Sequence, residues 1–146
     1  MIKILIKRLS QKIHLPKYET TGSSGMDLAA NLNDKLEIKP GKTAIIPTGL
    51  ALSIPKGYEA QIRPRSGLAA KKKISVLNTP GTIDSDYRGE IKIILINQGQ
   101  DPFVVENGVR IAQMVICPIV QATLKEVNDL KDTDRGQGGF GSTGTT

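Results

Sequence analysis

Residues 42 to 63 read KTAIIPTGLALSIPKGYEAQIR, and this stretch decides the fold class. It contains three short apolar or alternating runs and two turn signals: the runs are residues 42–46, 49–54 and 58–63, and the turn signals are Pro47-Thr48-Gly49 and Pro55-Lys56-Gly57. Short runs rich in β-branched residues are typical of strands, and proline and glycine supply the backbone angles of a chain reversal. The stretch therefore predicts consecutive β-strands joined by tight turns.

The same pattern continues in both directions along the chain. Further strands are predicted at residues 2–8, 27–31, 35–39, 74–77, 91–96, 102–105, 109–117 and 119–127. Only residues 67–72 combine good helix formers, with Ser66 in front of them as the predicted N-cap. Many short strands with almost no helix predict an all-β fold, a jelly-roll-type β-barrel or sandwich with one short helix.

Composition narrows the possible chemistry. The 146 residues suit one ordinary domain, the net charge is +6, and there is one cysteine and one histidine. These counts exclude an intramolecular disulfide framework, a Cys/His zinc site and a catalytic triad that needs histidine. No apolar run is long enough to span a membrane, and the basic start lacks a signal-peptide cleavage site, so we expect a cytoplasmic protein without a membrane partner.

The composition changes after Leu130. Residues 135–144 read RGQGGFGSTG, with five glycines in ten residues and one large apolar side chain, Phe140. Such a segment buries too little apolar surface to hold itself folded. We therefore predict a β-domain over residues 1–130 and a mobile, glycine-rich C-terminal arm over residues 131–146. The arm is either a flexible terminus or a segment that orders over a ligand.

Two segments between strands carry candidate chemistry. In residues 64–69, PRSGLA, Arg65 can contact phosphate oxygens and Gly67 allows an anion to approach the backbone, although simple helix capping explains the same residues. In residues 78–90, Asp84 and Tyr87 stand three apart in a segment that is long for a bare connection. Carboxylates in turns also commonly cap backbone amides, so both interpretations of Asp84 stay open here.

Five segments in order give the chain a wider resemblance. They are Gly25-Met26-Asp27-Leu28, Pro64 to Ala69, Gly81 to Gly89, Arg110-Ile111-Ala112-Gln113 and Arg135 to Gly144. Together they resemble the five ordered motifs of the trimeric deoxyuridine triphosphatase (dUTPase) family. The resemblance implies a jelly-roll homotrimer whose active sites are shared between subunits and which hydrolyses dUTP to dUMP and pyrophosphate with Mg²⁺. That activity keeps uracil out of DNA and supplies dUMP for thymidylate synthesis.

The resemblance also implies roles for individual residues. Asp84 would be the catalytic base, activating the water that attacks the α-phosphorus, and Asp27 would contact Mg²⁺ indirectly through water. The substrate-binding residues would be Arg65, Ser66, Gly67 and Gln113 on the phosphates, Asn78 and Ile83 at uracil, Tyr87 under the sugar, Gly81 and Lys92 beside them, and Arg135, Phe140, Gly141, Ser142 and Thr143 of the closing arm.

Two other classes of protein share features with this sequence. A dCTP deaminase would share the fold and the trimer, but the segments around Arg65 and Asp84 match the hydrolase pattern. A basic β-barrel that binds single-stranded nucleic acid needs exposed aromatic residues for stacking, whereas this chain has three Tyr, two Phe and no Trp. We therefore expect the small molecule dUTP, and no nucleic acid, as the partner.

Overall fold

The computed structural model describes residues 1–145. Within them the elements are β1 (Leu5–Arg8), β2 (Gly25–Ala29), β3 (Leu36–Ile38), β4 (Thr43–Ser53), β5 (Tyr58–Arg63), α1 (Ser66–Lys72), β6 (Ile74–Val76), β7 (Gly81–Ile83), β8 (Glu90–Asn97), β9 (Phe103–Val105) and β10 (Arg110–Pro118). Thr146, the last residue of the predicted arm, lies outside the described residues.

The strands form two four-stranded antiparallel sheets and one antiparallel pair. The first sheet has the order β1-β4-β8-β6, the second has the order β2-β10-β5-β7, and β3 pairs with β9. One apolar core joins the sheets, and its most buried side chains include Ile46, Ile91, Ile93 and Leu95 of the first sheet and Leu28, Ala60, Ala112 and Met114 of the second. Burial alternates along β8, as expected for a strand with one face on a core. The predicted all-β, jelly-roll-type sandwich with one short helix is confirmed.

The predicted turn at Pro47-Thr48-Gly49 is wrong. The runs 42–46 and 49–54 belong to one strand, β4, whose pairing with β8 shifts register between Pro47 and Ala51. Gly49 has a φ of 68°, and its N–H donates to Oε1 of Glu90 at 2.8 Å, while the buried Thr48 hydroxyl donates to the Ile91 carbonyl at 2.6 Å. Pro47 and Gly49 therefore mark a β-bulge and not a chain reversal. The side chains of Thr48 and Glu90 form hydrogen bonds with backbone groups where the pairing of β4 with β8 is interrupted.

Three further predictions differ from the structure. Residues 119–127 form no strand: within residues 1–145 they join no sheet, and Ile119 alone donates its N–H to a neighbouring segment, to the Gly57 carbonyl at 2.9 Å. The short strand β7 was missed, because its sequence Gly-Thr-Ile carries little strand signal. Ser66 is the first helical residue and not the N-cap: Arg65 holds that position, with no capping side-chain hydrogen bond. The other strand ends move by up to three residues.

Helix α1 extends from the end of β5 and returns the chain to β6. It ends at Lys73, which adopts a φ of 59° and donates its N–H to the Ala69 carbonyl at 3.2 Å. No helix within residues 1–145 is long and apolar enough to cross a membrane.

Candidate active site

The junction between β5 and α1 presents backbone donors and a guanidinium group on the same surface. The first intrahelical bond runs from the Ala69 N–H to the Arg65 carbonyl at 3.0 Å, so the N–H groups of Ser66, Gly67 and Leu68 have no partner within the helix. A side chain at Gly67 would meet open space, and the backbone is therefore accessible from outside. These groups can donate hydrogen bonds to an oxyanion, as the sequence of residues 64–69 predicts.

Strand β2 places Asp27 beside this junction. The Arg65 Nε donates to Asp27 Oδ1 at 3.0 Å, and the Arg110 Nη1 donates to Asp27 Oδ2 at 3.1 Å. The Arg65 Nη1 also donates to the carbonyl of Arg110 at 3.3 Å. Asp27 is therefore held between two guanidinium groups, and the outer edge of Arg65 is left to meet a ligand.

Gln113 completes this group from the centre of the second sheet. It lies opposite Asp27 on β2 and opposite Arg63 on β5, and its Nε2 donates to the Pro64 carbonyl at 2.9 Å. Gly25 leaves room for the Gln113 amide in this position, because a Cβ there would push that amide aside. The structure thus brings together Asp27, Arg65, Ser66, Gly67 and Gln113, here called the cradle.

A second group forms from β7, the edge strand of the second sheet, from the start of β8 in the first sheet and from the loop between them. A cavity of about 250 Å³ is lined by Thr82, Ile83, Asp84, Tyr87, Glu90 and Lys92. Asn78 lies close by, since its side-chain amide would be 3.2 Å from a Cβ at Gly81. These residues, with Asn78 and Gly81, are here called the base pocket.

Tyr87 is fixed in the base pocket by three contacts. Its hydroxyl donates to the Glu90 carbonyl at 3.0 Å, and its N–H donates to the Asp84 carbonyl at 3.2 Å. The ring packs over Gly89, where a side chain would collide with it. The ring remains 45% exposed, and Asp84 is exposed beside it, so a flat ligand can reach both.

Asp84 of the base pocket and Arg65 of the cradle lie at opposite ends of β5 within one chain. In the pairing of β5 with β7, Ile62 lies opposite Gly81 and Ala60 lies opposite Ile83, so Asp84 follows at the level of Glu59. Arg65 is six residues beyond Glu59, which at roughly 3.3 Å per residue is about 20 Å along the sheet. One chain therefore does not place its Asp84 next to its own cradle.

Residues 131–145 of the arm contribute to neither group within this chain. Its hydrogen bonds among the described residues are local turns, such as Arg135 Nε to the Gly138 carbonyl at 2.9 Å and the Ser142 N–H to the Gly139 carbonyl at 3.0 Å. Phe140 is fully exposed, and Gly141 to Thr143 are also at the surface. The predicted substrate contacts of Arg135, Phe140, Gly141, Ser142 and Thr143 stay predictions.

Sequence reasoning missed four residues of these two groups and their surroundings. Thr82 and Glu90 line the base pocket, and their only sequence signal is that they flank Asp84 and Tyr87. Arg110 contacts Asp27 and belongs to one of the five segments that resemble the family motifs. Glu19 contacts Arg110 but lies outside all five segments.

Comparison with protein families and solved structures gives one consistent result. A family model described as dUTPase matches residues 11–144. Curated relatives named deoxyuridine 5′-triphosphate nucleotidohydrolase include one from Beijerinckia indica, 57% identical over 97% of this chain and 91% of its own length. Another, from Brucella melitensis, is 58% identical over 91% of this chain and 86% of its own length.

Solved structures agree with this result. The dUTPase of Staphylococcus bacteriophage 80alpha, solved with dUpNHpp, superimposes with a TM-score of 0.89 at 27% identity and covers 99% of this chain and 100% of its own. The match of the family model to nearly the whole chain and the identity of these relatives establish that the chain belongs to the dUTPase family.

Proposed function

We propose that this protein hydrolyses dUTP to dUMP and pyrophosphate. The observation that carries the proposal is the exposed carboxylate of Asp84, which lines the same cavity as the Tyr87 ring in a chain that also carries the cradle around Arg65. Membership of the dUTPase family and relatives named deoxyuridine 5′-triphosphate nucleotidohydrolase support this substrate and this reaction.

Asp84 acts as the general base of the reaction. Its carboxylate takes a proton from a water molecule, whose oxygen then bonds to the α-phosphorus. The bond between the α-phosphorus and the oxygen that bridges to the β-phosphorus breaks, and pyrophosphate leaves with that oxygen. Proton removal of this kind contributes about 10²- to 10⁴-fold in rate, and the cradle supplies further stabilisation of the phosphate charge.

The edge of the second sheet supplies the means to read uracil. Strand β7, Gly81–Ile83, pairs with β5 on one side only, so its outer N–H and C=O groups are unpaired within the described chain. Uracil presents acceptor, donor and acceptor groups in a row, which such a backbone edge can match. The amide of Asn78 adds a donor and an acceptor next to Gly81.

Tyr87 selects deoxyribose over ribose. Its ring is held from behind by Gly89 and by the Glu90 carbonyl, so it is a rigid surface for the sugar. A ribose 2′-hydroxyl packed on that surface would have neither space nor a hydrogen-bond partner, and burying such a group without a partner is costly.

The cradle holds the triphosphate. The Arg65 guanidinium makes charge-assisted hydrogen bonds to phosphate oxygens. The N–H groups of Ser66 and Gly67 and the side-chain amide of Gln113 donate to oxygens of the same triphosphate. Lys92, which lines the base pocket, adds a positive charge beside Asp84.

We infer a homotrimer in which one subunit supplies the cradle and another the base pocket. The separation of about 20 Å between Arg65 and Asp84 within one chain supports sharing of the site, since the water activated by Asp84 must touch the phosphorus. Residues 119–130 support it as well, because Val120, Leu124 and Leu130 are at least 86% exposed and lack cover within their own chain. The number three comes from the family resemblance.

The residues present fit Mg²⁺ bound through the substrate. Among residues 1–145 no three His, Cys, Asp or Glu side chains cluster to hold a metal ion directly, and both Asp27 oxygens already accept from arginine. Mg²⁺ retains several waters and commonly binds through substrate phosphates with one or two carboxylates nearby. Asp27 would contact such an ion through water, and the ion would neutralise charge on the triphosphate.

The arm, residues 131–146, closes over the bound nucleotide. Phe140 is available to stack on uracil, and Arg135, Gly141, Ser142 and Thr143 offer donors to the γ-phosphate. The cytoplasmic location predicted from the sequence stays a prediction.

Pyrophosphate release across dUTP, UTP, dTTP and dCTP, with and without Mg²⁺, tests this function. We expect release from dUTP with Mg²⁺ at a kcat/KM far above the other three nucleotides. Ammonia release from dCTP would instead indicate the deaminase alternative, and equal rates on dUTP and UTP would contradict the role given to Tyr87.

A further inference from the structure

Arg110 is a charged residue that the proposed reaction leaves without a task. Its guanidinium bridges two carboxylates: Nη1 lies 3.1 Å from Asp27 Oδ2, and Nη2 lies 3.3 Å from Glu19 Oε1. With Arg65 on the other Asp27 oxygen, the four side chains form a continuous ion-pair network, Arg65–Asp27–Arg110–Glu19. The network has two positive and two negative charges.

Local structure defines the backbone at both ends of the Arg110–Glu19 contact, whose side chains are half exposed. Arg110 begins β10, and the pairing of β10 with β2 shifts register between Arg110 and Ala112, a β-bulge of the kind that re-aims a side chain. Glu19 precedes a tight turn in which the Thr20 N–H donates to Ser23 Oγ at 3.1 Å. The contact therefore joins two defined positions of the backbone.

The network reaches the cradle through Arg65. Two of the contacts that orient the Arg65 guanidinium depend on this surface: Nε on Asp27 and Nη1 on the backbone carbonyl of Arg110. If Arg110 turns away from Asp27, that carboxylate loses one of its two fixed donors and can rotate. The direction in which Arg65 presents its remaining N–H groups then changes as well.

We infer that Glu19 is a positioning residue for phosphate binding, which acts through Arg110 and Asp27 to orient Arg65. The inference rests on the proposed function for the identity of the ligand. Lys17 gives Glu19 no comparable task, since that pair is 4.0 Å apart and the Lys17 side chain is 74% exposed.

Charge alone predicts the opposite effect for Glu19. A carboxylate near a site for a polyanion repels it, so removing this negative charge should strengthen triphosphate binding if only Coulomb forces mattered. If Glu19 orients the cradle, its removal should weaken binding. The sign of the change therefore separates positioning from simple repulsion.

Calorimetry with tripolyphosphate and Mg²⁺ measures binding without turnover, and kcat and KM on dUTP complete the test. We expect Glu19→Gln to weaken tripolyphosphate binding and to raise KM by roughly threefold to tenfold, with a smaller change in kcat, as fits a partly exposed ion pair. Arg110→Met should weaken binding at least as much. The double variant should then lose no more than Arg110→Met alone, because Glu19 acts only through Arg110.

Glu37→Gln is the matched control. It removes the same charge from an exposed position on β3, outside the network, and should leave binding unchanged. Tighter or unchanged binding in Glu19→Gln, or additive losses in the double variant, would overturn the inference. If Arg110→Met does not fold, as judged by thermal melting, Arg110→Gln replaces it. The variants could show the expected changes in tripolyphosphate binding in a protein that releases no pyrophosphate from dUTP. That outcome would contradict the proposed function and leave the inference about Glu19 in place.

Discussion

Two inactive variants of this protein should restore each other when they share a trimer. Asp84→Asn removes the proposed base while preserving the size of the side chain, so kcat should fall by about 10²- to 10⁴-fold with nucleotide binding largely kept. Arg65→Ala removes the guanidinium of the cradle and should abolish productive phosphate binding. Each variant alone leaves every site of its homotrimer defective.

The size of the recovery follows from the separation of the two residues. Because Arg65 and Asp84 lie about 20 Å apart along one chain, a working site takes them from different subunits. In a random equal mixture, a site has intact Asp84 from one subunit with probability one half and intact Arg65 from another with the same probability. About one quarter of all sites should then be complete, so the mixture should show about a quarter of wild-type activity.

Co-expression of the two variants with different affinity tags gives such mixtures, and native mass spectrometry verifies that the chains have mixed. In the matched control, Asp84→Asn chains are mixed with chains that carry both Arg65→Ala and Glu37→Gln. This mixture tests whether an additional surface change alters the recovery. Activity at the level of the separate variants, in verified mixed trimers, would show that each chain builds its own site and would refute the argument from the β5–β7 register.

Three further substitutions test the sugar contact, the closing arm and a buried polar residue of the core. Tyr87→Ala should reduce the preference for dUTP over UTP in kcat/KM, whereas equal losses on both nucleotides would assign Tyr87 to the fold alone. Phe140→Ala should lower kcat as well as raise KM, since base stacking is worth roughly 1 to 3 kcal/mol and closure excludes water; an unchanged kcat would contradict the closing arm. Asn97→Ala should lower the free energy of unfolding by about 3 kcal/mol, as measured by urea denaturation. The fully buried Asn97 amide donates to the carbonyls of Ile38 and Asp101 and accepts from the Gly99 N–H, and the substitution would leave these partners unpaired. A loss below about 1 kcal/mol would show that water replaces the amide there.

The sequence predicted the sandwich well because its signals are local. Alternating runs such as residues 58–63 became a strand with the predicted ends, and β8 kept its strict inward and outward pattern. The proximity of Arg65, Ser66 and Gly67 was also predictable, since they are neighbours in sequence at the junction of β5 and α1.

Other features depend on pairing, which one-dimensional patterns do not specify. Pro47 and Gly49 indicate a break in a strand, but only the contacts of Thr48 and Glu90 decide between a turn and a bulge. Residues 119–127 have a strand-like pattern, yet a strand needs a partner, and none lies within the described chain. The distance between Arg65 and Asp84 follows from the register of β5 with β7, and the contact between Glu19 and Arg110 joins segments that are far apart in sequence.

The proposed reaction requires that water attacks the α-phosphorus of dUTP. Hydrolysis of dUTP in ¹⁸O-labelled water, followed by mass spectrometry of the products, shows which phosphorus the water attacks. We expect one ¹⁸O atom in dUMP and none in pyrophosphate. Label in pyrophosphate, or products consisting of dUDP and phosphate, would place the attack at another phosphorus and contradict the proposed reaction.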